Sequence, residues 1–153
     1  MVPDGHILIF IRHGKRGRVH PDDDLDPLIP RGIAQAERAG DWLRAGGHIP
    51  TKLLYTKKRR TQETAEIIRE RLGPEHRLLP MARVSAGPTA DTLEAFAEKH
   101  GSGAAIVAHH TSHEFIVKTF CKPDKYLDDN GAGFVLQKGG DTWQCVARHA
   151  GES

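Results

Sequence analysis

The run Ile7-Leu8-Ile9-Phe10-Ile11, stopped abruptly by Arg12-His13-Gly14, constrains the fold of this chain more than any other stretch. Five consecutive apolar residues, three of them β-branched, make a short strand buried on both faces. Such a strand belongs in a sheet covered by helices on each side, where ligands bind beyond the carboxyl ends of the strands. At that end Arg12 supplies a fixed cation and His13 an imidazole, while Gly14 permits a tight turn and a close ligand approach. Taken alone, the tripeptide is equally compatible with a solvated Arg-His pair at a strand end. Three later segments shift the balance.

Arg31 to Ala45 carries a helical stripe of Ile33, Ala36, Ala39, Gly40 and Leu43, and Gly46-Gly47 ends it. Lys52 to Thr56 reads as a second strand, so strand, helix and strand within about fifty residues make a βαβ unit and a parallel sheet. Lys57-Lys58-Arg59-Arg60 then opens a second helix whose stripe is Ala65, Ile68 and Leu72. Cations at a helix N-terminus oppose its partial positive charge, which a bound anion relieves; a solvated basic patch is the alternative. Ala104 to Ala108 forms a third buried strand and delivers His109-His110. Thr111-Ser112-His113-Glu114 follows as a capping-box pattern, with Thr111 at the N-cap of a helix running through Phe120. Arg77 to Pro80 reads as a short edge strand, and Asp91 to His100 as a helix with Leu93, Phe96 and Ala97 inward. Ala132 to Leu136 and Thr142 to Ala147 form a hairpin around Lys138-Gly139-Gly140-Asp141. The expected architecture is a three-layer α/β/α sandwich over residues 1–153, one domain with a mostly parallel central sheet and an antiparallel C-terminal edge.

Composition narrows the function classes. A chain of 153 residues buries a core without staples, and a net charge of +2 is far too small to argue on its own for a nucleic-acid partner, so none is expected. Met1 to Gly5 lacks a basic n-region and the apolar run is too short for a signal peptide or a membrane span, so a cytoplasmic protein is expected. Cys121 and Cys145 fit no metal or redox spacing and read as small buried hydrophobes in a reducing compartment. Asp22, Asp23, Asp24 and Asp26 crowd into the loop from Lys15 to Pro30, either as a solvated acidic turn or with one carboxylate facing the site as an acid or as an orienter of a basic side chain. His109, His110 and His113 are poorly placed for one ion, because neighbours on a strand point to opposite faces. No metal is expected; His110 reads as a rim residue and His113 as a first-turn helix residue. His6, His20, His48, His76, His100 and His149 default to the surface, and Trp42 and Trp143 to packing.

Three strand ends thus carry Arg12-His13, Arg59-Arg60 and His109-His110, and parallel neighbours bring them to one crevice. Two arginines suit the oxygens of a phosphoryl group, one histidine can attack phosphorus, and the other can stabilise the developing charge.

The chain resembles the histidine phosphatase superfamily, also called phosphoglycerate-mutase-like. The family's Arg-His-Gly stands as Arg12-His13-Gly14, and its helix-opening Leu-Thr-x-x-Gly is similar to Leu28-Ile29-Pro30-Arg31-Gly32. The segment Thr56-Lys57-Lys58-Arg59-Arg60-Thr61-Gln62-Glu63-Thr64-Ala65 resembles the family's second arginine box, which places the arginine on Arg60 rather than Arg59. Val107-Ala108-His109 resembles its Val-Gly-His box, and Asn130-Gly131-Ala132 its last glycine-containing segment. The resemblance implies that His13 accepts the phosphoryl group, that Arg12 and Arg60 bind it beside Gly14, and that His109 stabilises it, with no cofactor or metal.

Departures from the family pattern bear on substrate. Thr56-Lys57 replaces Ser-Pro, and Lys15 stands where the mutases commonly carry an acid, which makes the mouth more basic. Between Glu75 and Asp91 the chain has no Asp or Glu, the stretch where larger members keep a glutamate proton donor. An alkoxide leaving group needs such a donor, whereas a phosphohistidine can leave as neutral imidazole. The chain is therefore similar to the short, phosphohistidine-phosphatase-like branch, and a phosphohistidine protein is the favoured partner. The rivals are a small-molecule phosphomonoesterase, drawing its acid from Asp24 or Asp26, and a non-catalytic phosphate-binding module. Lys15, Arg59 and His110 are expected at the rim.

Overall fold

A computed structural model describes residues 1–76, 79–121, 127 and 129–152. Six strands form one sheet: β1 (Ile7–Arg12), β2 (Lys52–Tyr55), β3 (Met81–Arg83), β4 (Ala104–Ala108), β5 (Gly133–Gly139) and β6 (Thr142–His149), in the order β3-β2-β4-β1-β5-β6. The β1–β4, β2–β4 and β2–β3 pairs are parallel, and β5 and β6 close the β1 side as an antiparallel hairpin.

Four helices cover the sheet: α1 (Pro30–Ala45), α2 (Arg59–Leu72), α3 (Leu93–His100) and α4 (His110–Phe120). The period-2 alternation of β1 divides its apolar run between the faces. Ile9 and Ile11 join Ala39 and Leu43 of α1 and Ile68 and Leu72 of α2 in one core cluster. Leu8 and Phe10 join Leu93 and Ala97 of α3 and Ile116 of α4 in the other. The expected three layers and the antiparallel edge are present.

Several local expectations are corrected. The strand expected at 77–80 is Met81–Arg83 instead; Leu79 and Pro80 are not in a strand, and Arg77 and Leu78 lie outside the described residues. The last helix of the core begins at His110 with His109 as N-cap, so Thr111 lies within the first turn and caps nothing. A 3-10 turn at Ala90–Thr92 precedes α3, which starts only at Leu93, and Phe96 is half-buried. Ile33 is exposed, because the buried face of α1 runs through Gly32, Gln35 and Ala36. Cys145 is half-buried where full burial was expected. His6 is buried and packs edge-on against Trp143, contrary to its expected surface position.

Among the described residues, no helix is long and apolar enough to cross a membrane.

Candidate active site

Because β4 lies between β1 and β2 and all three are parallel, their carboxyl ends fall side by side. Arg12 pairs with Ala108 and Tyr55 with Val107, so the residues that follow, His13, His109 and Thr56, sit at neighbouring strand ends. The His13 and His109 rings are 6.3 Å apart, centroid to centroid.

Two glycines let α1 start against this edge. A Cβ on Gly14 would collide with the Gly32 carbonyl oxygen, and one on Gly32 with the Lys15 carbonyl oxygen. The Gly14 N–H donates to Thr64 Oγ1 at 3.1 Å, whose hydroxyl donates to the Arg60 carbonyl at 2.8 Å. The turn after His13 is thereby tied to the helix that carries Arg60.

His13 is buried, and its Nδ1 lies 2.7 Å from the Gly14 carbonyl oxygen. A carbonyl only accepts, so Nδ1 carries the proton and Nε2 keeps its lone pair. Burial, reinforced by the Arg60 and Arg12 charges against the opposing Gly14 bond, lowers the His13 pKa to about 3. The imidazole is neutral at physiological pH, as a nucleophile must be. For His109, burial first and the Arg60 and Lys58 charges next lower the pKa to about 4. Its Nε2 lies 2.7 Å from Thr56 Oγ1, and its Nδ1 is buried with no hydrogen-bond partner among the described residues.

These groups line a cavity of about 670 Å³ together with Arg12, Arg60, Lys15, Arg16, Arg18, Lys58, His110, Thr111, Ser112, Asp129 and Asn130. Gly14, expected beside the phosphoryl group, is not among the residues that line it. Arg60 is buried along much of its length, and its Nε has no hydrogen-bond partner among the described residues. One Nη donates to the Asp23 carbonyl oxygen at 3.0 Å, and the other lies 3.4 Å from Asp23 Oδ2. Asp23 also pairs with Lys58 at 2.6 Å and with Arg16.

The expected acids take other roles. Asp26 is 1% exposed and accepts the backbone N–H groups of Arg18, Val19 and His20 at 2.6, 3.1 and 3.3 Å. Its burial favours the neutral form, but those three bonds and Arg16 outweigh it and hold the pKa below the ordinary carboxylate range. Asp26 is therefore a fixed anion that shapes the loop, not a proton donor. Asp24 stays outside the cavity and pairs with Lys57 at 3.3 Å and Lys58 at 3.8 Å. Arg59 is also outside, half-exposed and paired with Glu63 at 3.5 Å, since its side chain leaves the opposite side of the α2 start from Arg60. Lys15 and His110 do line the cavity, and His110 lies 3.2 Å from Glu114. His113 is fully buried, and its Nε2–H donates to the Leu127 carbonyl across 2.6 Å, since a carbonyl only accepts. Among the described residues no three His, Cys, Asp or Glu side chains gather to hold a metal.

Sequence reasoning missed Thr56, Arg16, Arg18 and Asp129, whereas Asp23 is the one of the four loop acids weighed whose carboxylate meets Arg60. Thr56 was findable, because it follows its strand as His13 and His109 follow theirs.

The sequence profile of the histidine phosphatase superfamily (branch 1) matches residues 8–83, which include Arg12, His13 and Arg60. The chain belongs to the histidine phosphatase superfamily. No curated protein sequence matches it significantly. The SixA protein of Agrobacterium tumefaciens, assigned as a phosphohistidine phosphatase, superposes with a TM-score of 0.76 at 17% identity, covering 95% of this chain and 98% of that one. The protein histidine phosphatase SixA in complex with tungstate gives 0.74 at 13% identity, with 94% and 96% covered. A protein of Escherichia coli K-12 assigned as an alpha-ribazole-5'-phosphate phosphatase gives 0.67 at 16% identity, with 96% and 97% covered. At these identities the likeness is one of fold. The matched stretch includes Arg12, His13 and Arg60, which this fold brings to one cavity with His109.

Proposed function

We propose that this chain is a phosphatase that works through a phosphohistidine at His13. The observation that carries the reading is the Nδ1–H bond of His13 to the Gly14 carbonyl, which leaves Nε2 as the free lone pair of a neutral ring. Nε2 attacks phosphorus, the bond from phosphorus to the leaving group breaks, and the Nε2–P bond forms. Arg12 and Arg60 hold the phosphoryl oxygens, and their charge is matched by the dianion they receive. Water then attacks phosphorus, the Nε2–P bond breaks, and inorganic phosphate leaves with neutral His13 restored. His109, protonated as the phosphoryl dianion raises its pKa, stabilises the charge that builds on the oxygens in both steps.

The favoured substrate is a phosphohistidine on a protein. Its imidazole leaves without a strong proton donor, and the three loop acids Asp23, Asp24 and Asp26 are all taken up in ion pairs. A cytoplasmic setting, expected from two cysteines at no redox spacing, is part of the same proposal. One observation favours a second reading, a small-molecule phosphomonoesterase: the Asp129 carboxylate lines the cavity and has no ion-pair partner among the described residues.

Intact-protein mass after brief exposure to phosphoramidate tests the reading. An acid-labile gain of one phosphoryl group in the wild type and none in His13→Ala is expected. Phosphate binding without any such gain in the wild type would leave only the non-catalytic binding module.

A further inference from the structure

The cavity holds far more positive charge than one phosphoryl group calls for. Six of its thirteen lining residues are Lys or Arg, and a single one, Asp129, is acidic. Arg12 and Arg60 already match a phosphoryl dianion. Arg16 and Lys58 have their own counter-charges, since both pair with Asp23, Arg16 also lies 3.7 Å from Asp26, and Lys58 lies 3.8 Å from Asp24. Lys15 and Arg18 remain: neither side chain has an ion-pair partner among the described residues.

The backbones that carry these two cations are held in place. The Lys15 N–H donates to Gln35 Oε1 at 2.9 Å, and its carbonyl accepts the Ile29 N–H at 3.1 Å. An antiparallel bridge between Arg16 and Leu28 closes the base of the loop. Arg18 has a φ of 58°, the only positive value of any described residue other than glycine. A left-handed arginine is uncommon and unfavourable. Buried Asp26 offsets that cost by accepting the N–H groups of Arg18 and the two residues after it. Strain of this kind persists where surrounding structure imposes it, and here the imposed turn leaves Arg18 lining the cavity. Its charge reaches the inner site: after burial, the Arg18 charge is among the influences that lower the pKa of both Arg16 and Arg60. The arrangement sets the Arg18 charge against those of Arg16 and Arg60 in a cavity that Lys15 also lines, which is unfavourable until an anion enters.

We propose that Lys15 and Arg18 form a second anion subsite at the mouth of the phosphoryl pocket, so that the substrate carries a phosphate or carboxylate beside the phosphoryl group that is removed. The inference rests on the phosphatase reading for the inner site, and the two can fail separately.

Calorimetric titration of the wild-type protein with four non-hydrolysable probes tests it without turnover. Methylphosphonate fills the inner site alone. Methylenediphosphonate and propane-1,3-diphosphonate add a second phosphonate at two reaches, and phosphonoacetate adds a carboxylate. At least one two-headed probe is expected to bind about tenfold more tightly than methylphosphonate, the worth of one charge-assisted pair. Which one does so tells phosphate from carboxylate as the second group. Arg18→Gln is expected to remove most of that preference, Arg18→Lys to restore part of it, and Lys15→Ala with Arg18→Gln to abolish it. Arg59→Gln removes the same charge outside the cavity and is expected to leave the preference intact. Equal binding of all four probes, or an equal loss in Arg59→Gln and Arg18→Gln, overturns the subsite in favour of a diffuse field. If the preference stands but His13 is never phosphorylated, the subsite survives and the phosphatase reading falls.

Discussion

Thr56 Oγ1 accepts the Nε2 proton of His109 across 2.7 Å. The direction follows from counting protons along a short chain of hydroxyls. Thr61 Oγ1 lies 2.8 Å from the Lys58 carbonyl and 3.1 Å from the Thr56 carbonyl, and carbonyls only accept, so its one proton points there. The 2.9 Å contact between Thr56 and Thr61 hydroxyls must then use the Thr56 proton. Only the histidine can supply the remaining 2.7 Å bond. His109 is thus an Nε2–H tautomer and His13 an Nδ1–H tautomer: two facing imidazoles held in opposite states.

Thr56→Val should therefore lower kcat toward phosphoramidate about tenfold, the effect of losing one buried hydrogen bond that orients a reacting group. Thr56→Ser should restore it. Nitrogen NMR of His109 gives a readout that loss of packing alone does not move: Nε2–H in the wild type, a tautomer mixture in Thr56→Val. An unchanged tautomer in the valine variant would sink the relay.

The three histidines with the most strongly lowered pKa values dominate the coupling of stability to pH. His13, His109 and His113 have pKa values lowered from 6.5 to about 3, 4 and 3, burial being the leading cause for each. Folding keeps them neutral in a range where the unfolded chain protonates them. Their contribution is complete above about 6.5 and is lost progressively as pH falls toward those folded values, at about 1.4 kcal/mol per pH unit for each proton. Near pH 5, calorimetric unfolding should take up about three protons from this source. Saturating phosphate brings negative charge to His13 and His109, raises their folded values and should reduce the uptake, leaving the His113 share. Uptake that ignores phosphate would place both rings away from the anion.

The strand ends were legible because buried parallel strands write an uninterrupted apolar run, and the residue that breaks the run is the one delivered to the crevice. His13 and His109 are found that way. The roles of Asp23, Asp26 and Arg18 were not, because the loop from Lys15 to Pro30 has no period and its carboxylates are distinguished only by three-dimensional neighbours. Asp26 differs from Asp24 in burial and in three backbone donors, neither of which spacing reveals. Arg59 and Arg60 are separated by helical phase, and only the start of α2 at Arg59 settles which one turns inward. Thr111 misled because the pattern Thr-x-x-Glu is satisfied two residues inside the helix as readily as at its cap.

Asp129 and Asp26 should separate cleanly when the leaving group is varied. If Asp129 protonates an alkoxide, Asp129→Asn slows an alkyl phosphate about a hundredfold or more while sparing phosphoramidate, because general acid catalysis is worth roughly 10²–10⁴ only where the leaving group needs the proton. Asp26→Asn, by contrast, removes the anion that shapes the Arg18 turn. It should raise KM for both substrates in parallel and leave the ratio of their kcat values unchanged. A selective loss of ester turnover in Asp26→Asn would restore it as the acid.

The close approach of Gly14 to Gly32 sets the position of His13, and it tolerates no side chain. A Cβ at Gly14 meets the Gly32 carbonyl oxygen, which is backbone at the start of α1 and cannot rotate away. Gly14→Ala must push α1 from the strand end, breaking the 3.1 Å bond to Thr64 and shifting the carbonyl that fixes the His13 tautomer. Overpacking of this kind costs about 1–3 kcal/mol, roughly 3–9 °C in Tm for a chain of this size. Activity should fall further than stability, since a misplacement of about 1 Å at a nucleophile can cost a hundredfold in rate. Gly139→Ala is the matched control, because nothing lies within 4 Å of a Cβ there. Thermal melts and phosphoramidate turnover on the same preparations check both effects. Wild-type turnover in a Gly14→Ala protein would mean that the strand end has room to spare, and that the tripeptide's glycine serves only the turn.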